Sequence, residues 1–269
     1  MKAPSVTPCI GRASGWPSAA WPSWSPIPTC RMGPSMRPPS DHAQSSGDPC
    51  PLGRLVSAGA RMTRITLVRH GQTAHNAAGR FQGWADIALN GHGQAQAAAL
   101  ARRLAGHPVR PTHVLSSDLG RAAQTAAPLA HALGLPVQPS ADLREIHIGA
   151  WEGLTFAEIE AQDADRFRQW PLVAAPQGES VADLTRRVGA VLDRLALQPT
   201  DHAVIVTHGV VITALLCTWL GWDFADAWAG RRGLHHNTAL STLRWADEAV
   251  QCETLACAAH LEDLQVGAG

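Results

Sequence analysis

The sequence has no excess of either charge. Its 22 acidic residues balance 22 basic ones, so no global field draws the chain to nucleic acid or to an anionic membrane surface. Any anion site has to be local. Nowhere does an uninterrupted apolar run reach the roughly 18 residues that a membrane span needs, and Lys2 leads into proline-rich sequence instead of an apolar signal core. The expectation is a cytoplasmic protein with no membrane and no nucleic acid among its partners. Metal-ligand spacing is missing too. Of six cysteines, Cys9, Cys30 and Cys50 lie in an irregular N-terminal stretch, while Cys217, Cys252 and Cys257 are widely spaced, which reads as reduced thiols and no bound metal or other cofactor. There is no internal repeat.

Residues 1–61 are crowded with Pro, Ser, Gly and Trp, as in WPSAAWPSWSPIP, and show neither helical nor strand periodicity. Ordering such a stretch costs more entropy than its small buried surface returns, so it is expected to be a disordered extension, read as a leader with no folded role or as sequence upstream of the true start at Met32, Met36 or Met62, with a functional tail as the alternative. A folded domain is expected over 62–269. It opens on ITLV, an apolar β-rich run suited to a buried parallel strand. An Ala-rich helix over about 91–104, the strand-like THVLSS, a helix capped by Ser117 or Asp118 and closed by Gly134, and a short PVQP strand follow. A helix over about 180–195, the strand AVIVT, a helix through VVITALLCTWL and a terminal strand pair, ALSTLRW and VQCETLA, complete the pattern. Alternating strand and helix predict a three-layer α/β/α sandwich with a mostly parallel sheet.

In such sheets functional groups gather beyond the carboxyl ends of the strands. Arg69, His70 and Gly71 follow the first strand, with Thr73 and Asn76 close behind; Arg121 follows the second; Arg144 and Glu145 follow PVQP; His208 and Gly209 follow AVIVT. A neutral imidazole is a good nucleophile toward phosphorus, and His70 needs a fixed acceptor for its other ring nitrogen, for which a carbonyl in the Gly71 turn is suited. Arg69 and Arg121 offer planar forks that match phosphoryl oxygens, Asn76 can add a neutral donor, and His208 opens a helix whose amides favour an anion. A carboxyl such as Glu145 can protonate a leaving alkoxide and then, ionised, take a proton from water; Glu152 and Glu179 compete for that role.

In their order, LVRHGQTAHN, SSDLGRAAQTA, LREIHIGAWEGLT, GES and VTHGVVITALL resemble the histidine phosphatase (phosphoglycerate mutase-like) superfamily over about residues 64–261. The resemblance implies that His70 accepts the phosphoryl group, that Arg69, Asn76, Arg121 and His208 form the phosphate pocket, and that Glu145 donates the proton. It further implies that the loop at Gln82 and Gly83 shapes the substrate end. The expected activity is metal-independent hydrolysis of a small phosphorylated substrate, by the broad-specificity or α-ribazole-phosphate phosphatase branch. Phosphoglycerate mutase and a non-catalytic phospho-ligand binding module are the alternatives. The short segment from Glu145 to His208, without a long basic insertion, favours the phosphatase. Trp84, Phe156, Phe167 and Trp170 are expected to give a partly apolar rim, and the other histidines, including His235 and His236, to be surface or packing residues. The terminal strand pair could offer an edge to a homodimer.

Overall fold

A computed structural model describes residues 63–264 apart from 196, 247, 248 and 263, so the expected N-terminal extension and the ends of the 62–269 domain lie outside the described residues. The elements run β1 (Thr63–Arg69), α1 (Ala74–Ala77), α2 (Gly91–Ala105), β2 (His113–Ser117), α3 (Gly120–Leu133), β3 (Val137–Ser140), α4 (Phe156–Gln169), α5 (Val181–Arg194), β4 (His202–Thr207), α6 (Gly209–Leu220), α7 (Phe224–Ala229), β5 (Leu240–Ala246) and β6 (Ala249–Cys257). Six strands form one sheet in the order β3-β2-β4-β1-β5-β6. The first four are mutually parallel, and the terminal pair β5 and β6 adds on antiparallel at one edge, where the sequence pattern places it.

The β4 sequence HAVIVT has no polar alternation because both of its faces are covered. Ala203 and Ile205 enter a core shared with Leu184 and Val188 of α5 and with Val211, Ile212 and Leu215 of α6. Val204 and Val206 enter the opposite core, with Leu100 and Leu104 of α2 and Ala122, Ala126 and Leu129 of α3. Period-two alternation along a strand thus produces the three layers. Gly134 ends α3 in the left-handed conformation, as its position predicts.

Two local expectations differ. α3 begins at Leu119 as N-cap, whose side chain has no acceptor; of the two expected caps, Ser117 Oγ accepts, among the described residues, only from the Leu119 amide, at 3.3 Å, and the Asp118 carboxylate is engaged by Arg144, at 2.7 and 2.6 Å. Its first amide, that of Gly120, donates instead to Asp86 Oδ1 at 2.7 Å from the preceding loop, so the cap arrives from elsewhere in the chain. α4, absent from the sequence reading, is opened by a capping box between Thr155 and Glu158 and buries only Ile159, too thin an apolar stripe to announce itself.

Candidate active site

The register of β1 on β4 builds the centre of the site. Arg69 lies opposite Thr207, and the His70 amide donates to the Thr207 carbonyl at 2.9 Å, so the next residue of each strand, His70 and His208, emerges beside the other. Their ring centroids are 5.1 Å apart. Both rings are buried, at 3% and 0% exposure. His70 Nδ1 lies 2.7 Å from the Gly71 carbonyl oxygen, which can only accept, so Nδ1 carries the proton and Nε2 holds the free lone pair. That turn is fixed from behind: the Gly71 amide donates to Thr125 Oγ1 at 2.9 Å, and a Cβ at Gly71 would lie 2.7 Å from the Gly93 carbonyl oxygen. Burial, then the charges of Arg121 and Arg69, hold His70 well below the usual imidazole pKa.

Arg69 and Arg121 are held by neutral carbonyls. Arg69 Nη1 donates to the His235 carbonyl at 2.7 Å; Arg121 Nη1 and Nη2 donate to those of Ala85 and Gly83 at 2.8 and 2.7 Å. Arg121 is 1% exposed, and although burial draws its pKa down to about 10, it keeps its charge at neutral pH. Gly83 adopts φ +51°, where a Cβ would meet Ile148 Cγ1 at 2.5 Å and Glu152 Oε1 at 2.6 Å, so this turn has room for glycine alone. Gln82 accepts from Thr73 Oγ1 at 2.9 Å and Asn76 closes the capping box of α1 with Thr73. The Gln82 and Gly83 loop therefore positions Arg121 and Thr73.

Glu145 reaches the same point from the β3 side. A Cβ at Gly209 would stand 3.8 Å from Glu145 Oε2 and 3.9 Å from Arg69 Nε, so the carboxylate and the guanidinium both lie against the start of α6. Glu145 Oε2 accepts from the Val210 amide at 3.3 Å and Oε1 from the Ile146 amide at 3.0 Å. Burial nevertheless dominates and pushes the Glu145 carboxyl above its usual range. Its two competitors are occupied: Glu152 Oε1 accepts from the Trp84 amide at 2.7 Å, and Glu179 is paired with Arg187 at 2.8 Å. Among the described residues, Arg69 Nε, Arg121 Nε and both ring nitrogens of His208 are buried without a hydrogen-bond partner, a concentration of unsatisfied donors and rings that an oxyanion would satisfy.

Of the ten residues singled out from the sequence, Arg69, His70, Gly71 and His208 lie at the ends of β1 and β4, Asn76, Arg121 and Gly209 in the first turns of α1, α3 and α6, and Gln82, Gly83 and Glu145 on loops packed against them. The sequence reading missed the loop that precedes β5. His235 supplies the carbonyl under Arg69, the Thr238 amide donates to the Arg69 carbonyl at 3.0 Å, and Asn237 Nδ2 donates to the His70 carbonyl at 3.0 Å. These are His, Asn and Thr in a loop about 167 positions from His70; no periodicity or nearby motif singles them out. The expected apolar rim also takes another form. Phe156, Phe167 and Trp170 pack their rings around Phe81 at 4.6, 6.2 and 5.2 Å, whereas Trp84 is flanked by His147 and by the guanidinium of Arg144.

The fold and the collected charges beyond its parallel strand ends define an α/β enzyme with its site at the carboxyl edge of the sheet. A family model described as the histidine phosphatase superfamily, branch 1, matches residues 65–258, and the chain belongs to this family. Over 214 residues it is 35% identical to the probable phosphoglycerate mutase GpmB of Proteus mirabilis (strain HI4320), covering 76% of this chain and 97% of that protein. The structure of a mycobacterial glucosyl-3-phosphoglycerate phosphatase, Rv2419c, in complex with VO3 is similar at a TM-score of 0.62 and 34% identity, over 70% of this chain and 98% of the other. Bacillus stearothermophilus YhfR is similar at a TM-score of 0.68 and 31% identity, over 74% and 100% of the two chains. Among the described residues no helix is long and apolar enough to cross a membrane.

Proposed function

We propose that the protein is a metal-independent phosphomonoesterase that hydrolyses a small phosphorylated metabolite through a phosphohistidine on His70. The observation that carries this reading is the bond from His70 Nδ1 to the Gly71 carbonyl, which fixes the tautomer and leaves the Nε2 lone pair free beside the unsatisfied donors of Arg69 and Arg121. Nε2 attacks phosphorus; the N–P bond forms as the ester P–O bond breaks, and protonated Glu145 gives its proton to the departing oxygen, releasing an alcohol. Water then attacks the phosphohistidine, its proton passes to the Glu145 carboxylate, and the N–P bond breaks to return His70 and inorganic phosphate. The two guanidiniums, His208 and the Asn76 amide stabilise the charge on the non-bridging oxygens, so the reading assigns no step to a metal. Location in the cytoplasm is part of the same proposal.

Phosphoglycerate mutase is the second reading, favoured by the name of the Proteus relative. A mutase has to hold a bisphosphate and exclude water. Against it stands the segment between Glu145 and His208: Arg166, Arg168, Arg186 and Arg187 are each paired with an acidic neighbour and do not form a free basic lid. Release of phosphate from p-nitrophenyl phosphate in EDTA, by wild type and His70→Ala, tests the proposal. EDTA-insensitive turnover that disappears in His70→Ala is expected. Phosphate release by folded His70→Ala would overturn the nucleophile assignment, and interconversion of phosphoglycerates without net hydrolysis would replace the phosphatase with the mutase.

A further inference from the structure

The segment that carries Glu145 has no regular secondary structure from Arg144 to Ile148, yet a carboxyl that moves one proton twice has to be held in place. A single side chain from another element does this. Arg187, on α5, directs its Nη1 to the carbonyls of Asp142 at 2.8 Å and Arg144 at 3.1 Å, and its Nη2 to the carbonyl of Glu145 itself at 3.3 Å. The remaining donors grip Glu179: Nε to Oε1 at 3.0 Å and Nη2 to Oε2 at 2.8 Å. Glu179 in turn holds the other side of Glu145. Its Oε2 accepts from the His147 amide at 3.0 Å, and its own amide donates to the His147 carbonyl at 2.7 Å. Trp84 Nε1 adds a third tie, to the Glu145 carbonyl at 2.7 Å.

From this geometry we infer that Arg187 and Glu179 form a clamp that positions Glu145 for proton transfer, a role that rests on Glu145 being the proton donor. Both side chains are largely buried, 16% and 21% exposed, so the pair is shielded from the screening that weakens a surface ion pair. The planar fork of Arg187 is needed because five acceptors, three carbonyls and two carboxylate oxygens, surround it; an ammonium in its place has three donors and no fixed plane. Neither residue touches the reacting atoms. They act through the backbone on each side of Glu145.

A positioning role is separable from a structural one by the leaving group. p-Nitrophenolate departs without a proton; an alkoxide does not. kcat/KM, which reports the steps up to transfer of the phosphoryl group to His70, is measured for a series from p-nitrophenyl to alkyl phosphates with wild type, Glu145→Gln, Arg187→Ala and Arg187→Lys. Inorganic phosphate inhibition and circular dichroism are recorded on the same samples. Glu145→Gln is expected to lose about 100-fold or more on alkyl esters and far less on p-nitrophenyl phosphate. Arg187→Ala follows the same pattern, about tenfold steeper across the series than wild type and with unchanged phosphate inhibition, and Arg187→Lys does not restore it. Equal losses on every ester in Arg187→Ala, with Glu145→Gln still selective, would overturn the clamp and leave the acid in place. Weakened phosphate inhibition that Arg187→Lys repairs would also overturn it, making Arg187 a source of charge. A flat series in Glu145→Gln removes the acid and with it the clamp. Should Arg187→Ala not fold, Glu179→Gln, which keeps the shape and removes the charge, is judged by the same slope.

Discussion

Asn237 donates through Nδ2 to the carbonyl of His70 at 3.0 Å, and the same nitrogen lies 3.3 Å from Asn76 Oδ1. One buried amide therefore ties the backbone of the proposed nucleophile to a second side chain of the pocket. Asn76 Oδ1 also accepts from the Thr73 amide at 3.2 Å, so its oxygen is committed and its amide nitrogen is turned the other way, as a donor. Asn237→Asp places an acceptor against two acceptors. Loss of the buried donor costs stability by about 1–3 kcal/mol, and displacement of His70 lowers kcat by about 10–100-fold. Urea unfolding and steady-state kinetics on the same preparation check both numbers, and Asn237→Ala, which removes the donor without the repulsion, should be the milder variant in each.

Arg121 is fixed through two carbonyls of the loop that contains Gly83. A lysine keeps the charge but cannot reach both carbonyls and still present a donor to the pocket, so Arg121→Lys should lower kcat/KM by about 100-fold or more. Gly83→Ala disturbs the same support from the other end, since its Cβ would collide with Ile148 and Glu152. It should reproduce part of the Arg121→Lys defect, and the double variant should lose less than the product of the two single losses, because both act on one guanidinium. Losses that multiply would separate the loop from Arg121.

Much of this architecture was legible in the chain, for physical reasons that differ by element. β1 and β4 are buried on both faces, so they carry unbroken apolar runs, and the parallel register then makes the residues after them neighbours without further information. α4 was not legible. It buries one residue, and its capping box between Thr155 and Glu158 was the available signal. The carbonyl of His235, the amide of Thr238 and the fork of Arg187 are harder still: what they contribute is backbone geometry or reach across tens of residues, and neither leaves a period or a spacing in sequence.

The pH dependence of kcat/KM follows from two opposite shifts. Burial and the neighbouring arginines lower the pKa of His70, so its Nε2 remains unprotonated well into the acid range; burial raises that of Glu145, which donates only while protonated. Activity toward alkyl esters should therefore fall as pH rises through the raised Glu145 pKa, so that Glu145 sets the alkaline limb of the profile and His70 the acid limb. In Glu145→Gln the residual kcat/KM toward alkyl esters should lose its alkaline limb while the acid limb stays, and p-nitrophenyl phosphate, whose leaving group needs no proton, should show little of that limb even in wild type. An alkaline limb that survives unchanged would assign it to another group.

Stability has its own pH dependence, and it has the opposite sign to that of a salt-bridged histidine. His235 is 1% exposed; its Nδ1 lies 2.6 Å from the Gly233 carbonyl and its Nε2 2.8 Å from Ser241 Oγ, a complete set of bonds for a neutral ring. Burial drives its pKa down to about 4. Below the unfolded value of about 6.5 the unfolded chain takes up a proton that the folded chain refuses, so folding stability is lost as pH falls from about 6.5 to about 4 and levels off below that, by at most about 3 kcal/mol for this residue. His202 and His260 are shifted in the same direction, also chiefly by burial, and steepen the loss. Urea midpoints for wild type should therefore drop between pH 7.5 and pH 5. His235→Gln should be less stable than wild type at pH 7.5, because Gln cannot reproduce both bonds, yet should lose less on acidification. A variant whose midpoint falls as steeply as that of wild type would mean that His235 does not titrate in this range.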